Sequence, residues 1–310
     1  MSGRLRGAAL AAAWAVLLLA GAAAAQERTT AFELDALDAR AFAMGGTLVA
    51  LPHDETAMRW NPALLVWLPG PAVTAGYSTP AADLGASHGA VAAAMPLGRL
   101  VPDMPPEAPM RRSAGGVLLM SSGFDLSEGA RWSETQVGVG YAHEILSYLS
   151  VGGSLRVLGN STAAVQASVS GYSVDIAAAM PLTGSVRVGA VFRNILSNIN
   201  WKDLNVSESL PNVFVLGGAL QKRKWDAEVG LQLAGSSSSV GYGGAEYALR
   251  DGMLKLRLGT RVYFGAEPRS VPTAGVGLNL GSLRVDLGAQ FDAADALGTT
   301  KAVSLGYRFR

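Results

Sequence analysis

Residues 252–264 read Gly-Met-Leu-Lys-Leu-Arg-Leu-Gly-Thr-Arg-Val-Tyr-Phe. Successive side chains of a strand point to opposite faces, so Leu254, Leu256, Leu258, Val262 and Phe264 share one side. Lys255, Arg257, Gly259, Arg261 and Tyr263 share the other. The same alternation returns in 282–291, where Leu283, Val285, Leu287, Ala289 and Phe291 interleave with Arg284, Asp286, Gly288 and Gln290. It returns again in 225–233, where Trp225, Ala227, Val229, Leu231 and Leu233 interleave with Asp226, Glu228, Gly230 and Gln232. A soluble sandwich produces such ribbons too. Behind a secretory leader, in a chain without cysteine, they point to a transmembrane antiparallel β-barrel.

The leader is read from Arg4 and Arg6, an apolar run reaching Leu19, and Ala23-Ala24-Ala25 before Gln26. This assigns 1–25 to a signal peptide. No later segment holds the ~18 uninterrupted apolar residues of a spanning helix. A hydrophobic share of 49%, only 16% charged residues, 38 glycines and a mean hydropathy of +0.26 suit alternating strands. The net charge of +1 gives no reason to expect nucleic acid. The absence of cysteine removes disulfides, thiol catalysis and thiolate metal sites, and leaves a closed backbone ladder to hold an exported fold.

About fourteen candidate strands follow between 70 and 309, an even number as bacterial barrels require. From the fourth strand onward, short turns near 145–147, 182–183, 222–223, 250–252 and 281 alternate with longer connections at 160–166, 196–211, 235–240, 265–270 and 292–299. That parity places both termini and the short turns in the periplasm. The Pro-rich segment 99–109 is the exception, read either as a partner-contact loop or as the site of a missed short strand. Glycines fall mostly on the polar, inward face, leaving room for bulky neighbours or a plug.

Residues 26–69 are of another kind. They mix helical spacing with Met44-Gly45-Gly46 and Trp60-Asn61-Pro62-Ala63, with a short helix expected around 53–59, begun at Asp54 and ended before Pro62. Such a segment ahead of a barrel (70–310) fits its lumen as a plug.

Ala41 to Ala50, then Asp54, Glu55, Ala57 and Trp60-Asn61-Pro62-Ala63, resemble the N-terminal hatch of the FadL-like outer-membrane superfamily, with a closer likeness to its PorV/PorQ branch. The likeness continues through Leu210-Pro211, Val215 to Ala219, Gly244 to Tyr247, Leu256 to Gly259 and the closing Ser304 to Phe309. It implies a 14-stranded barrel with a luminal hatch in the bacterial outer membrane. The chain departs from the family in ending Phe309-Arg310, with the terminal aromatic displaced by one, and in being short for a FadL-type transporter.

The resemblance supports two roles. The first is a secretion-associated accessory barrel that presents loops such as Asn198-Ile199-Asn200-Trp201 to secreted or secretion-system proteins, although a solvated loop with Trp201 at the membrane interface explains those residues as well. The alternative is a transporter of small hydrophobic molecules. Gly115-Gly116 in the third strand would be its kink and lateral exit, or merely glycine relief of a crowded lumen.

Enzymatic function is not expected. His53, His88 and His143 lie apart, and no catalytic or cofactor-binding arrangement is evident. The remaining chemical signal is the inward charge of Asp226, Glu228, Glu246, Lys255, Arg257, Arg261, Arg284 and Asp286, with Arg187 and Arg193 opposite. A substrate path and a paired structural ladder are the two readings, and dry charges favour pairing. Asp35, Asp38, Arg40, Asp54 and Glu55 would fasten the hatch to that wall.

Overall fold

A ribbon with one oily face can satisfy its backbone within lipid only if its two edges meet, because hydrocarbon offers an open edge no hydrogen-bond partner. A computed structural model, which describes residues 38–46, 48–51, 54–79, 85–100, 105, 108–125, 131–162, 168–202, 205–234, 239–264, 268–292 and 299–309, makes that closure. The expected signal peptide, the first part of the hatch with Asp35, and His53 lie outside the described residues.

The strands are β1 (Ala72–Thr79), β2 (Ser87–Pro96), β3 (Ser113–Asp125), β4 (Arg131–Leu146), β5 (Leu149–Thr162), β6 (Val169–Pro181), β7 (Val186–Trp201), β8 (Val206–Glu208), β9 (Val213–Gln221), β10 (Trp225–Ala234), β11 (Val240–Leu249), β12 (Leu254–Tyr263), β13 (Arg269–Leu280), β14 (Leu283–Phe291) and β15 (Thr299–Arg308). All pairings are antiparallel. β1 closes on β15, and β7 bonds both β6 and β9. β8 is a three-residue arm on the outer end of β7. Fifteen strands less this arm leave a ring of fourteen.

The usual burial pattern is inverted. Leu256 and Leu258 are 45% and 70% exposed, whereas Arg257 between them is 2% exposed. The oily face of 252–264 is the outside of the cylinder, and the charged face lines its lumen. No helix among the described residues is long and apolar enough to cross a membrane; the strands do so.

The hydrophobic core therefore belongs to what fills the lumen. Helix α1 (Ala39–Ala43) and the single turn α2 (Ala57–Trp60) precede a 3-10 helix, Pro62–Trp67. Asp38 begins α1 by accepting from the amide of Arg40 at 2.9 Å. The expected helix at 53–59 is shorter and later: Asp54 caps the preceding turn through the Thr56 amide, and the helical turn starts at Ala57. Asn61 ends it in extended geometry and opens the 3-10 helix, with Pro62 at its first position, where a missing N–H costs nothing. Val49, Met58, Leu64 and Leu65 pack on Ala92, Ala94, Ala114 and Leu118 of the wall.

One strand reading needs correction. Residues 196–201, read as part of an outer connection, extend β7. Its ladder with β6 shifts register between Val174 and Ile176, and Asn194 turns into the left-handed region at φ 58°, so the alternation breaks there and the strand reads as finished. In the Pro-rich segment, the described residues form 3-10 turns at Leu97–Arg99 and Pro109–Arg112, with no strand among them.

Candidate functional site

The hatch meets the wall as backbone against glycine. A Cβ on Gly189 would lie 1.9 Å from the Val49 carbonyl oxygen, and one on Gly152 would lie 2.6 Å from the Ala63 nitrogen. Gly244 and Gly259 receive the Met44 backbone, and Gly288 the Ala39 carbonyl, at similar distances. Only a residue without a side chain permits so close an approach. Gly115 and Gly116 sit within an unbroken β2–β3–β4 register, and no shift marks a kink there. Gly116 instead makes room for Met58, whose Cγ and Sδ would stand 2.7 Å from an added Cβ.

The hatch motif residues each hold a specific place. Met44 packs among Leu48, Leu51 and Trp60. Gly45 and Gly46 take φ of 96° and 91° in a left-handed turn. Arg261 donates to their carbonyls at 3.1 and 3.0 Å. Thr273 accepts from the Gly45 amide and donates to the Ala43 carbonyl. The Asn61 amide group donates to Val49 O at 2.7 Å and to Ala178 O at 3.2 Å, while its oxygen accepts from Ala63 N at 3.0 Å. One side chain thus joins two hatch segments to β6. The ring of Trp60 is fully buried beneath the guanidinium of Arg193, 5.7 Å from its centroid.

Charges complete the attachment on one sector. Arg257 pairs with Glu246 at 2.6 Å and with Asp286 at 2.7 Å, and Lys255 also binds Glu246. From the hatch, Arg40 reaches Glu246 at 3.1 Å, with Asp226 at 3.6 Å and Asp54 at 3.8 Å. Arg284 bridges Asp54 at 2.6 Å, Asp286 at 2.9 Å and Glu55 at 3.5 Å, and Thr74 donates to Glu55. Glu228 accepts from the amides of Val49 at 2.6 Å and Ala50 at 3.2 Å. All eight inward charges singled out in the sequence lie in this sector, and Asp38, Arg40, Asp54 and Glu55 face it. Arg187 lies instead over the ring of Trp67, 4.3 Å from its centroid.

Two further groupings are not legible in the strand alternation. Arg156 donates to Asn194, Asp175, Ser173 and Gln136 at 2.8 to 3.2 Å across four strands. Nearer the end away from the termini, Phe124, Trp132 and Trp201 form a row with centroid spacings of 6.3 and 6.1 Å. They face inward, on the same strand sides as buried Ser122, Glu134 and Ile199. Leu158, Val169, Ile199 and Leu210 pack with Trp201, and the Trp132 indole donates to Glu134 at 2.8 Å. Trp201 is therefore part of an aromatic ledge inside the mouth. Aromatic residues at inward positions of strand ends were the available clue. The described histidines stand apart: His88 lies in β2, and His143 in β4 bonds Ser113 at 2.9 Å.

No protein-family model matches the chain, and no curated protein matches it in sequence. Solved structures share its fold. The toluene transporter TbuX of Ralstonia pickettii is 15% identical with a TM-score of 0.65, over 90% of this chain and 100% of that one. The toluene transporter TodX of Pseudomonas putida is 14% identical with a TM-score of 0.63, over 90% and 98%. A FadL homologue of Pseudomonas aeruginosa is 11% identical with a TM-score of 0.62, over 89% and 99%. The fold is that of bacterial outer-membrane channels of the FadL and TodX kind.

Proposed function

We propose that this barrel is a hatch-closed conduit for small hydrophobic molecules across the outer membrane. The observation that carries the reading is the aromatic ledge of Phe124, Trp132 and Trp201 with its aliphatic neighbours, inside the mouth. Apolar surface there gains a solute roughly 25 cal/mol for each Å² it removes from water. Beneath the ledge stand the Arg156 belt and then the hatch, so passage requires the hatch to leave its glycine bed or shift within it. TodX and TbuX are described as a monoaromatic hydrocarbon channel and a toluene transporter, which supports the choice of solute class.

Uptake of labelled toluene into proteoliposomes tests it. The double variant Trp132→Ala/Trp201→Ala is expected to lower the rate about tenfold, the ratio that ~1.4 kcal/mol represents. A native rate equal to that of empty liposomes sinks the proposal. The secretion-accessory role rests on the sequence resemblance alone. Exported proteins co-purifying with barrel that carries no extractable amphiphile would favour it.

A further inference from the structure

The outer wall over β10 to β14 carries two concavities that neither the hatch nor the mouth uses. At the periplasmic edge, the turns joining β9 to β10 and β11 to β12 enclose about 420 Å³ between Arg223, Lys224 and Arg250. Asp251 is the one acid of that lining, so three cations less one carboxylate leave it two charges positive. Above it on the oily face is a groove of about 500 Å³. Small Ala274 and Ala289 form its floor, and Leu256, Leu258, Val276 and Leu287 its sides.

A continuous row of cross-strand partners joins the two. Trp225 pairs with Tyr247, Tyr247 with Leu256, Leu256 with Val276, and Val276 with Leu287. The Trp225 and Tyr247 rings lie 4.4 Å apart, and Trp225 is exposed, as aromatics are at the boundary between acyl chains and headgroups. From Leu254, beside the basic turn, to Leu258 in the groove is roughly 14 Å along the strand. Cations at headgroup depth, an aromatic boundary and a dry groove above it follow one another in the order of a phospholipid's own parts. We propose that this face holds one anionic phospholipid of the periplasmic leaflet, its phosphate among Arg223, Lys224 and Arg250 and an acyl chain over Ala274 and Ala289.

The full chain in nanodiscs of phosphatidylcholine containing about one tenth phosphatidylglycerol is the material for the test, with retained lipid counted by native mass spectrometry. One phosphatidylglycerol is expected to stay bound in preference to phosphatidylcholine. Arg223→Gln/Lys224→Gln/Arg250→Gln should lower its retention about tenfold without changing that of phosphatidylcholine. Ala274→Phe/Ala289→Phe, which fills the groove and leaves every charge in place, should do the same. Equal retention of the two lipids by the native protein overturns the proposal, as does undiminished retention in either variant. Displacement by glycerol 3-phosphate alone would assign the basic pocket to a soluble anion and overturn it equally.

Discussion

The lumen wall grips the hatch by opposite chemistry on its two sides. Over β2 to β6 the inward residues that touch Met58, Leu64 and Leu65 are mostly alanine, glycine and a few larger aliphatics, with the Arg156–Asp175 pair lying above them toward the mouth. Over β10 to β14 they are Glu228, Glu246, Arg257, Arg284 and Asp286, bound to Arg40, Asp54, Glu55 and the backbone at Val49. Apolar contact scales with area and has no preferred direction, so it can hold the plug without fixing its rotation. Ion pairs in a dry wall contribute little net stability, yet they penalise every arrangement that leaves a charge alone. The aliphatic side supplies adhesion, and the charged side supplies register.

The sharpest break is on the charged side. Arg257→Met leaves Glu246 and Asp286 short of a cation and should cost about 3 kcal/mol, read as the urea midpoint of the detergent-solubilised barrel. Adding Asp286→Asn should recover much of it, because the fault is an unpaired charge rather than lost packing. An unchanged midpoint in the single variant would remove the register role from this wall.

In β7, between those two sides, the fault would be steric. Gly189→Ala drives a methyl into the Val49 carbonyl, 1.9 Å away, and should cost about 1–3 kcal/mol while raising conductance in planar bilayers as the hatch is displaced. Gly218→Ala, next to Gly217 but with open space around its Cβ, should change neither quantity. Equal behaviour of the two variants would refute the glycine bed.

Asn61 lies between the two mechanisms, tying Val49 to β6. Asn61→Ala removes its three hydrogen bonds and should cost about 1–2 kcal/mol, visible as faster hydrogen exchange at hatch amides with barrel amides unaffected.

The smallest effect is one of pH. Burial first, and Asp54 beside it second, push the Glu55 carboxyl from 4.5 up to about 7, against the opposing pull of Arg284 and Thr74. The folded chain therefore keeps a proton that the unfolded chain releases between those values. Stability from Glu55 is full below pH 4.5 and is lost as pH rises through 7. Glu55→Gln should flatten that part of a stability profile; an unchanged slope would assign it to another group.

Strand count and facing were legible because lipid and lumen impose a period of two on every strand, and 252–264 states it plainly. The outer end of β7 was not, since the extra residues around Asn194 interrupt that period. Gly115-Gly116 illustrates a different limit: a glycine pair reads alike whether the strand bends or a neighbour needs room, and it takes the register of β2 to β4 and the place of Met58 over Gly116 to tell them apart. The aromatic ledge was missed because Phe124, Trp132 and Trp201 are scattered in sequence and meet only when β3, β4 and β7 are carried round the ring.

From the sequence alone came the cylinder, its oily exterior, its charged lining and a compact N-terminal piece with room inside, for each follows from local alternation or composition. Tertiary structure decided which charge meets which, where the hatch backbone touches glycine, and how separate turns assemble a basic pocket beside an apolar groove. Those are relations between strands far apart in the chain, fixed by ring closure and register, and no local pattern encodes a distance across a lumen.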